Sequence, residues 1–158
     1  PAPATPGRAN LVQVARQSAS RAQHIAQQNN QTLSVDLPVQ ELWVRGETGL
    51  VTHALDALLA NALKNAPANG QVALRLQKTE TQAQLTVSDN GPGLDAAHLA
   101  KIFEAAPPPA VEKARRFGGL GVSLPLAREI ITLFQGKLWA ESTPGQGSQF
   151  HFTLPLLK

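Results

Sequence analysis

The chain has 158 residues, with 14 Lys and Arg against 11 Asp and Glu and no cysteine. That length builds one domain with a sizeable core rather than two, and a net charge of only +3 lacks the basic stripe that nucleic-acid binding needs. The absence of cysteine removes disulfides and thiolate metal sites and fits a reducing compartment. No apolar run reaches the roughly 18 residues of a bilayer span, and no signal-peptide pattern opens the chain.

Pro1 to Gly7 is rich in Pro and Ala and reads as a linker remnant, so residues 1–9 are expected to lie outside the fold and 10–158 to form one domain. Leu11, Val14, Ala15, Ala22, Ile25 and Ala26 recur at helical spacing and predict a helix over about Leu11–Gln28. Thr32 to Asp36 alternates as a strand stopped by Pro38, and Leu42-Trp43-Val44 is expected to pair with it. A long helix follows over about Thr48–Asn65, with Leu55, Leu58, Leu59 and Ala62 on the face that should pack on a sheet.

Gln71–Gln77 and Gln82–Ser88 alternate around a short polar turn, as two antiparallel strands do. Ala96–Phe103 reads as a short helix, and Glu104–Gly118, with Pro107-Pro108-Pro109, as a mobile loop. Leu124–Phe134 is helical, Pro125 being tolerated in its first turn. Gly136–Glu141 and Gln149–Leu154 close the sheet as a hairpin around a Gly-rich turn. The expected fold class is α+β: a two-layer sandwich whose mixed, mostly antiparallel sheet is covered on one face by helices.

Four segments carry chemistry. Asn61, Lys64 and Asn65 share one helix face at i, i+3 and i+4. A neutral amide and an ammonium at that spacing suit a magnesium triphosphate, because Mg²⁺ keeps most of its waters and takes one or two protein oxygens. Alone, the segment is equally a polar helix face. Asp89 ends an apolar strand and opens Asp89-Asn90-Gly91-Pro92-Gly93-Leu94, which alone would be an ordinary turn. Gly118-Gly119-Leu120-Gly121 runs toward a helix, where backbone N–H groups cradle phosphates. Before it, Lys113, Arg115 and Arg116 form the one basic cluster, and Gly145-Gln146-Gly147-Ser148 comes last.

The order and spacing of these segments resemble the nucleotide-binding boxes of the GHKL (Bergerat-fold) ATPases, and most closely the catalytic ATP-binding domain of bacterial sensor histidine kinases. The resemblance covers about Leu11 to Lys158. It implies ATP and Mg²⁺ as ligands, with Asn61 on the metal and Lys64 on phosphate beside Asn65. It implies Asp89 as acceptor for the adenine amine, a contact guanine would turn into two facing acceptors. Gly91 and Gly93 would let the backbone approach the base, and Leu94 and Phe103 fill the family's next positions, Phe103 also as core. Gly119, Gly121 and Ser123 align with three glycine positions of the phosphate loop, so Gly119, Leu120, Gly121, Val122, Ser123 and Leu124 line the nucleotide. Lys113, Arg115 and Arg116 lie in the family's lid, and Ser148 would join Asp89 through water.

The chain departs from the family pattern at two places. Ala57 stands where family members usually carry Asn, His or an acid, and Asp56 cannot replace it, being rotated roughly 100° around the helix. Hydrolysis through a base-activated water is therefore not expected, whereas an imidazole nucleophile needs no such base. Ser123 takes the third glycine place. His24, His53, His98 and His151 read as structural or surface residues, and none lies in a phosphoacceptor sequence.

The implied function is a protein histidine kinase catalytic domain in a two-component system. It transfers the ATP γ-phosphoryl group to a His on a dimerisation domain, from which a response-regulator Asp later receives it. Asn61, Lys64, Arg115 and Arg116 carry the catalytic roles. The expected setting is cytoplasmic and the isolated domain monomeric, cut from a larger protein or a stand-alone partner. A degenerate, non-catalytic module acting by protein–protein contact is the alternative, motivated by Ala57 and Ser123. A stand-alone Ser/Thr-directed anti-sigma-factor kinase is a third reading, disfavoured by Ala57.

Overall fold

The alternation of Gln82–Asp89 decides the architecture: Ala83, Leu85, Val87 and Asp89 are buried, and the residues between them are half-exposed. A strand of that pattern has one face in a core and one toward solvent. The computed structural model describes residues 7–103 and 124–157. In chain order these form β1 (Arg8–Asn10), α1 (Leu11–Gln28), β2 (Thr32–Asp36), β3 (Trp43–Arg45), α2 (Thr48–Asn65), β4 (Gln71–Lys78) and β5 (Gln82–Asp89). After them come α3 (Ala96–Lys101), α4 (Leu124–Leu133), β6 (Lys137–Thr143) and β7 (Gly147–Pro155).

Five strands make the main sheet in the order β2-β4-β5-β7-β6, and β1 and β3 make a separate two-stranded piece. Every pair in the main sheet is antiparallel except β2 with β4, which run parallel. Helices α1, α2 and α4 pack together and cover the face presented by Leu74, Leu85, Phe150 and Phe152. The fold class read from the sequence is the observed one, an α+β layer pair with a mostly antiparallel sheet.

The central helix forms for legible reasons. The Glu47 carboxylate caps its start, accepting from the N–H of Gly49 at 2.7 Å and of Leu50 at 3.1 Å. Leu55, Leu58, Leu59 and Ala62 are each 0% exposed, as the stripe predicts. The helix ends where Ala66 turns extended before Pro67, which cannot continue it.

Two expectations need correction. The segment Leu42-Trp43-Val44 does not pair with Thr32–Asp36: β3 pairs antiparallel with β1, Ala9 opposite Val44, while β2 lies parallel to β4, Thr32 opposite Gln71. The reason is the crossover. Parallel neighbours need a long connection, and α2 supplies it, so β2–α2–β4 forms a unit that a nearest-neighbour hairpin would break. Arg8 and Ala9, read as the end of a linker, instead belong to β1, and Ala9 is fully buried.

Candidate nucleotide site

The last turn of α2 and the loop after β5 meet back to back. Asn61 and Asn65 are half-buried there and Lys64 is exposed, so the three sit on the rim of the helix layer rather than in its core. Ala57, one turn earlier, is 2% exposed and packed among apolar neighbours. Asp56 turns the other way. Both its oxygens accept from Arg21 Nη2 at 3.1 Å, tying α2 to α1.

At the end of β5, Asp89 is 8% exposed. Its Oδ1 accepts from the N–H of Gly91 at 2.8 Å, whereas its Oδ2 is buried and has no hydrogen-bond partner. Burial holds this carboxyl above its ordinary value of 3.8, against the smaller downward pull of the Gly91 and Ser148 backbone N–H groups. A buried carboxylate with one free oxygen carries a desolvation cost that a ligand donor would relieve. Asn61 Nδ2 is also buried without a partner. Among the described residues only three buried side-chain atoms are in that condition, the third being Asn10 Oδ1. Two of the three belong to residues that the sequence singles out for a nucleotide.

The glycines between them serve close packing first. A Cβ on Gly91 would strike the carbonyl oxygen of Asn65, the end of α2. Gly93 has φ +74°, and a Cβ there would strike the carbonyl oxygen of Thr143 on β6. The Asp89 loop is thus clamped between the Asn-bearing helix and the β6–β7 hairpin. The N–H of Gly145 donates to the Pro92 carbonyl at 2.6 Å on that hairpin side.

Ser148 is 4% exposed, and its Oγ lies 2.8 Å from Ser142 Oγ. Ser142, which the sequence reading missed, organises this corner: it accepts from the N–H of Leu94 at 2.7 Å and donates to the Gly147 carbonyl at 3.1 Å. With its proton so used, Ser142 is the acceptor from the Ser148 hydroxyl. The missed signal is register, since Ser142 and Ser148 are opposed across the hairpin.

Phe103 packs edge-on to Phe150, centroids 6.2 Å apart, and the Arg128 guanidinium sits 5.2 Å over its ring. It therefore joins α3, β7 and α4 as core. Leu124 opens α4 and is half-buried against the same core. Lys113, Arg115, Arg116, Gly119, Leu120, Gly121, Val122 and Ser123 lie outside the described residues, as does the loop expected over Glu104–Gly118.

On the opposite face of the sheet, His151 is partnered at both ring nitrogens. His151 is 7% exposed, with Nδ1 2.9 Å from Thr86 Oγ1 and Nε2 2.8 Å from Glu141 Oε1. Trp139 stacks on its ring, centroids 5.0 Å apart. A hollow of about 630 Å³ on that face is lined by Thr32, Ser34, Gln71, Ser88 and Gln149. It touches Asp89 and Ser148 but neither Asn61 nor Lys64, so it is not where the two orphaned atoms point together. Among the described residues no three His, Cys, Asp or Glu gather as a metal cluster. Any Mg²⁺ here would depend on Asn61 and phosphate oxygens, the donor set the ion favours.

Residues 46–158 match the family described as histidine kinase-, DNA gyrase B-, and HSP90-like ATPases, and the chain belongs to that family. It is similar to the adaptive-response sensory kinase SasA of Thermosynechococcus vestitus, 37% identical over 131 residues, which are 82% of this chain and 34% of that protein. Its fold is that of the catalytic domain of the histidine kinase ThkA, with a TM-score of 0.77, 23% identity, and coverage of 94% of this chain and 93% of that one. Full-length ShkA, solved in complex with AMPPNP, superposes with a TM-score of 0.76 at 22% identity over 99% of this chain and 33% of its own. The chain spans about a third of the length of the curated SasA relative.

Proposed function

We propose that this chain is the ATP-binding catalytic domain of a two-component sensor histidine kinase, working at the cytoplasmic side with a phosphoacceptor His on a dimerisation domain and a response regulator downstream. The observation that carries the reading is the pair of orphaned atoms, Asp89 Oδ2 and Asn61 Nδ2, at the two ends of one clamped corner. Asp89 Oδ2 accepts the adenine amine, which selects adenine over guanine. Asn61 would hold Mg²⁺ through its amide oxygen, leaving Nδ2 to donate to phosphate, and Lys64, exposed on the rim, would reach phosphate. Bound Mg²⁺ supplies charge neutralisation for the leaving phosphates.

Arg115 and Arg116, with Lys113, complete the clamp in this reading, and Gly119 to Ser123 line the phosphates. The buried Ala57 and the Arg21-bound Asp56 offer water no base on that face of α2, which favours an imidazole acceptor. A domain that had given up its nucleotide would have no reason to keep two buried groups unpaired, which weighs against a purely protein-binding role. Calorimetric titration with AMPPNP, with and without Mg²⁺, tests the reading. Magnesium-dependent binding that a guanine analogue does not reproduce supports it, and a folded protein that binds neither overturns it.

A further inference from the structure

A buried glutamine far from the four motifs governs how the two halves of the site meet. Gln31 is 8% exposed and lies in the turn between α1 and β2. Its Nε2 donates to the carbonyl oxygens of Leu63, in the last turn of α2, at 2.8 Å and of Ala66, the residue that caps it, at 2.9 Å. Those carbonyls need an outside donor. A helical carbonyl at position 63 would be served by the N–H at 67, and residue 67 is Pro67, which has none. Asn29 Nδ2 lies 3.4 Å from Gln31 Oε1, which orients the amide so that its NH₂ faces α2.

The turn carrying Gln31 is itself fixed to the chain after α2. The N–H of Asn69 donates to the Asn30 carbonyl at 2.7 Å, and the N–H of Thr32 to the Gly70 carbonyl at 3.0 Å. On its other side the same end of α2 presents the Asn65 carbonyl to Gly91, with no room for a Cβ between. Gln31 thus closes the turn that carries Lys64 and Asn65 and that Gly91, two residues from Asp89, leans against.

We infer that Gln31 is a positioning residue for nucleotide binding: by supplying the donor that Pro67 denies to the Leu63 carbonyl and a second to the Ala66 carbonyl, it fixes the distance between the Asn61/Lys64 end of the site and Asp89. The inference rests on the nucleotide reading above. Without those donors two buried carbonyls are left open, and the last turn unwinds toward water or another partner to satisfy them. Asp89, held by β5, stays in place while Lys64 and Asn65 shift.

The test is the Kd for Mg²⁺–AMPPNP, measured by calorimetry well below each protein's melting temperature, for wild type, Gln31→Met and Gln31→Lys. Met keeps the side-chain length without a donor, and the Lys ammonium restores donors at a helix C-terminus that favours positive charge. The expected result is about a tenfold weaker Kd for Gln31→Met, roughly one hydrogen bond's worth of misplacement, with recovery in Gln31→Lys. A folded Gln31→Met that melts lower but binds as wild type overturns the inference, because that is what a purely structural residue would do. Should Gln31→Met not fold, Gln31→Asn takes its place, its amide one methylene too short to reach both carbonyls, with the same two outcomes. Failure of wild type to bind any adenine nucleotide would instead sink the nucleotide reading itself.

Discussion

Asp89 and His151 lie on neighbouring strands, β5 and β7, on opposite faces of one sheet, and both are buried to nearly the same degree, 8% and 7% exposed. They are treated in opposite ways. Both nitrogens of His151 have partners on adjacent strands, Thr86 and Glu141. Glu141 can only accept when ionised, so it takes the Nε2 proton, and Thr86 then donates to Nδ1. Asp89 keeps one oxygen without a partner among the described residues. A group buried for the fold's own sake is satisfied within the fold, and one left unsatisfied is waiting for a donor from outside.

The comparison can be broken most sharply at Asp89. Asp89→Asn keeps an acceptor for the Gly91 N–H and places an NH₂ where Oδ2 lay, so adenine-nucleotide affinity should fall about a hundredfold, the scale of a lost hydrogen bond to a buried charge. Calorimetry reads it, and an unchanged Kd would separate Asp89 from the ligand. His151→Leu should do the reverse, lowering unfolding free energy by about 1–2 kcal/mol in denaturant melts through the loss of two hydrogen bonds, with nucleotide affinity untouched.

A smaller effect separates the two sites by pH. Burial raises the Asp89 carboxyl above 3.8, so the native state binds its proton more tightly than the unfolded chain does. Its ionisation therefore costs stability, present as a benefit below 3.8 and lost as pH rises through the raised value. Asp89→Asn removes that loss. The melting temperature of the variant relative to wild type should climb across that window and stay level above it, and a flat difference would mean the carboxyl is not buried as described. Smallest of all, Arg75→Ala breaks a 3.5 Å ion pair with Asp36 whose side chains are 59% and 77% exposed, and less than about 1 kcal/mol should be lost.

The chain itself announced the half of the site built from local sequence. Asp89 stands out because strand alternation ends on it and two glycines follow within four residues, and Asn61 because a polar face interrupts a leucine-lined helix. What escaped was everything set by partners remote in the chain. The partner of β2 lay beyond a whole helix, and short-range reading prefers the nearest strand. Ser142 fell in the Gly-rich turn expected between the last two strands until the hairpin register opposed it to Ser148. Gln31 gave no sign, because the carbonyls it serves are 32 and 35 residues away. At Gly91 and Gly93, expected to admit the base, the structure shows that the missing Cβ atoms make room for the backbone of Asn65 and Thr143.

The stacking of Trp139 on His151 has an optical consequence. The chain has two tryptophans: Trp43 lies beneath the Arg8 guanidinium, 4.4 Å from its ring centre, and Trp139 sits against an imidazole on the uncovered face. Neither touches Asp89 or Asn61. Intrinsic emission therefore reports on two places apart from those residues, Trp43 on the docking of β1 and Trp139 on the outer face of β6. Each signal serves as an internal control, steady while ligand is titrated and changing only when the scaffold itself gives way.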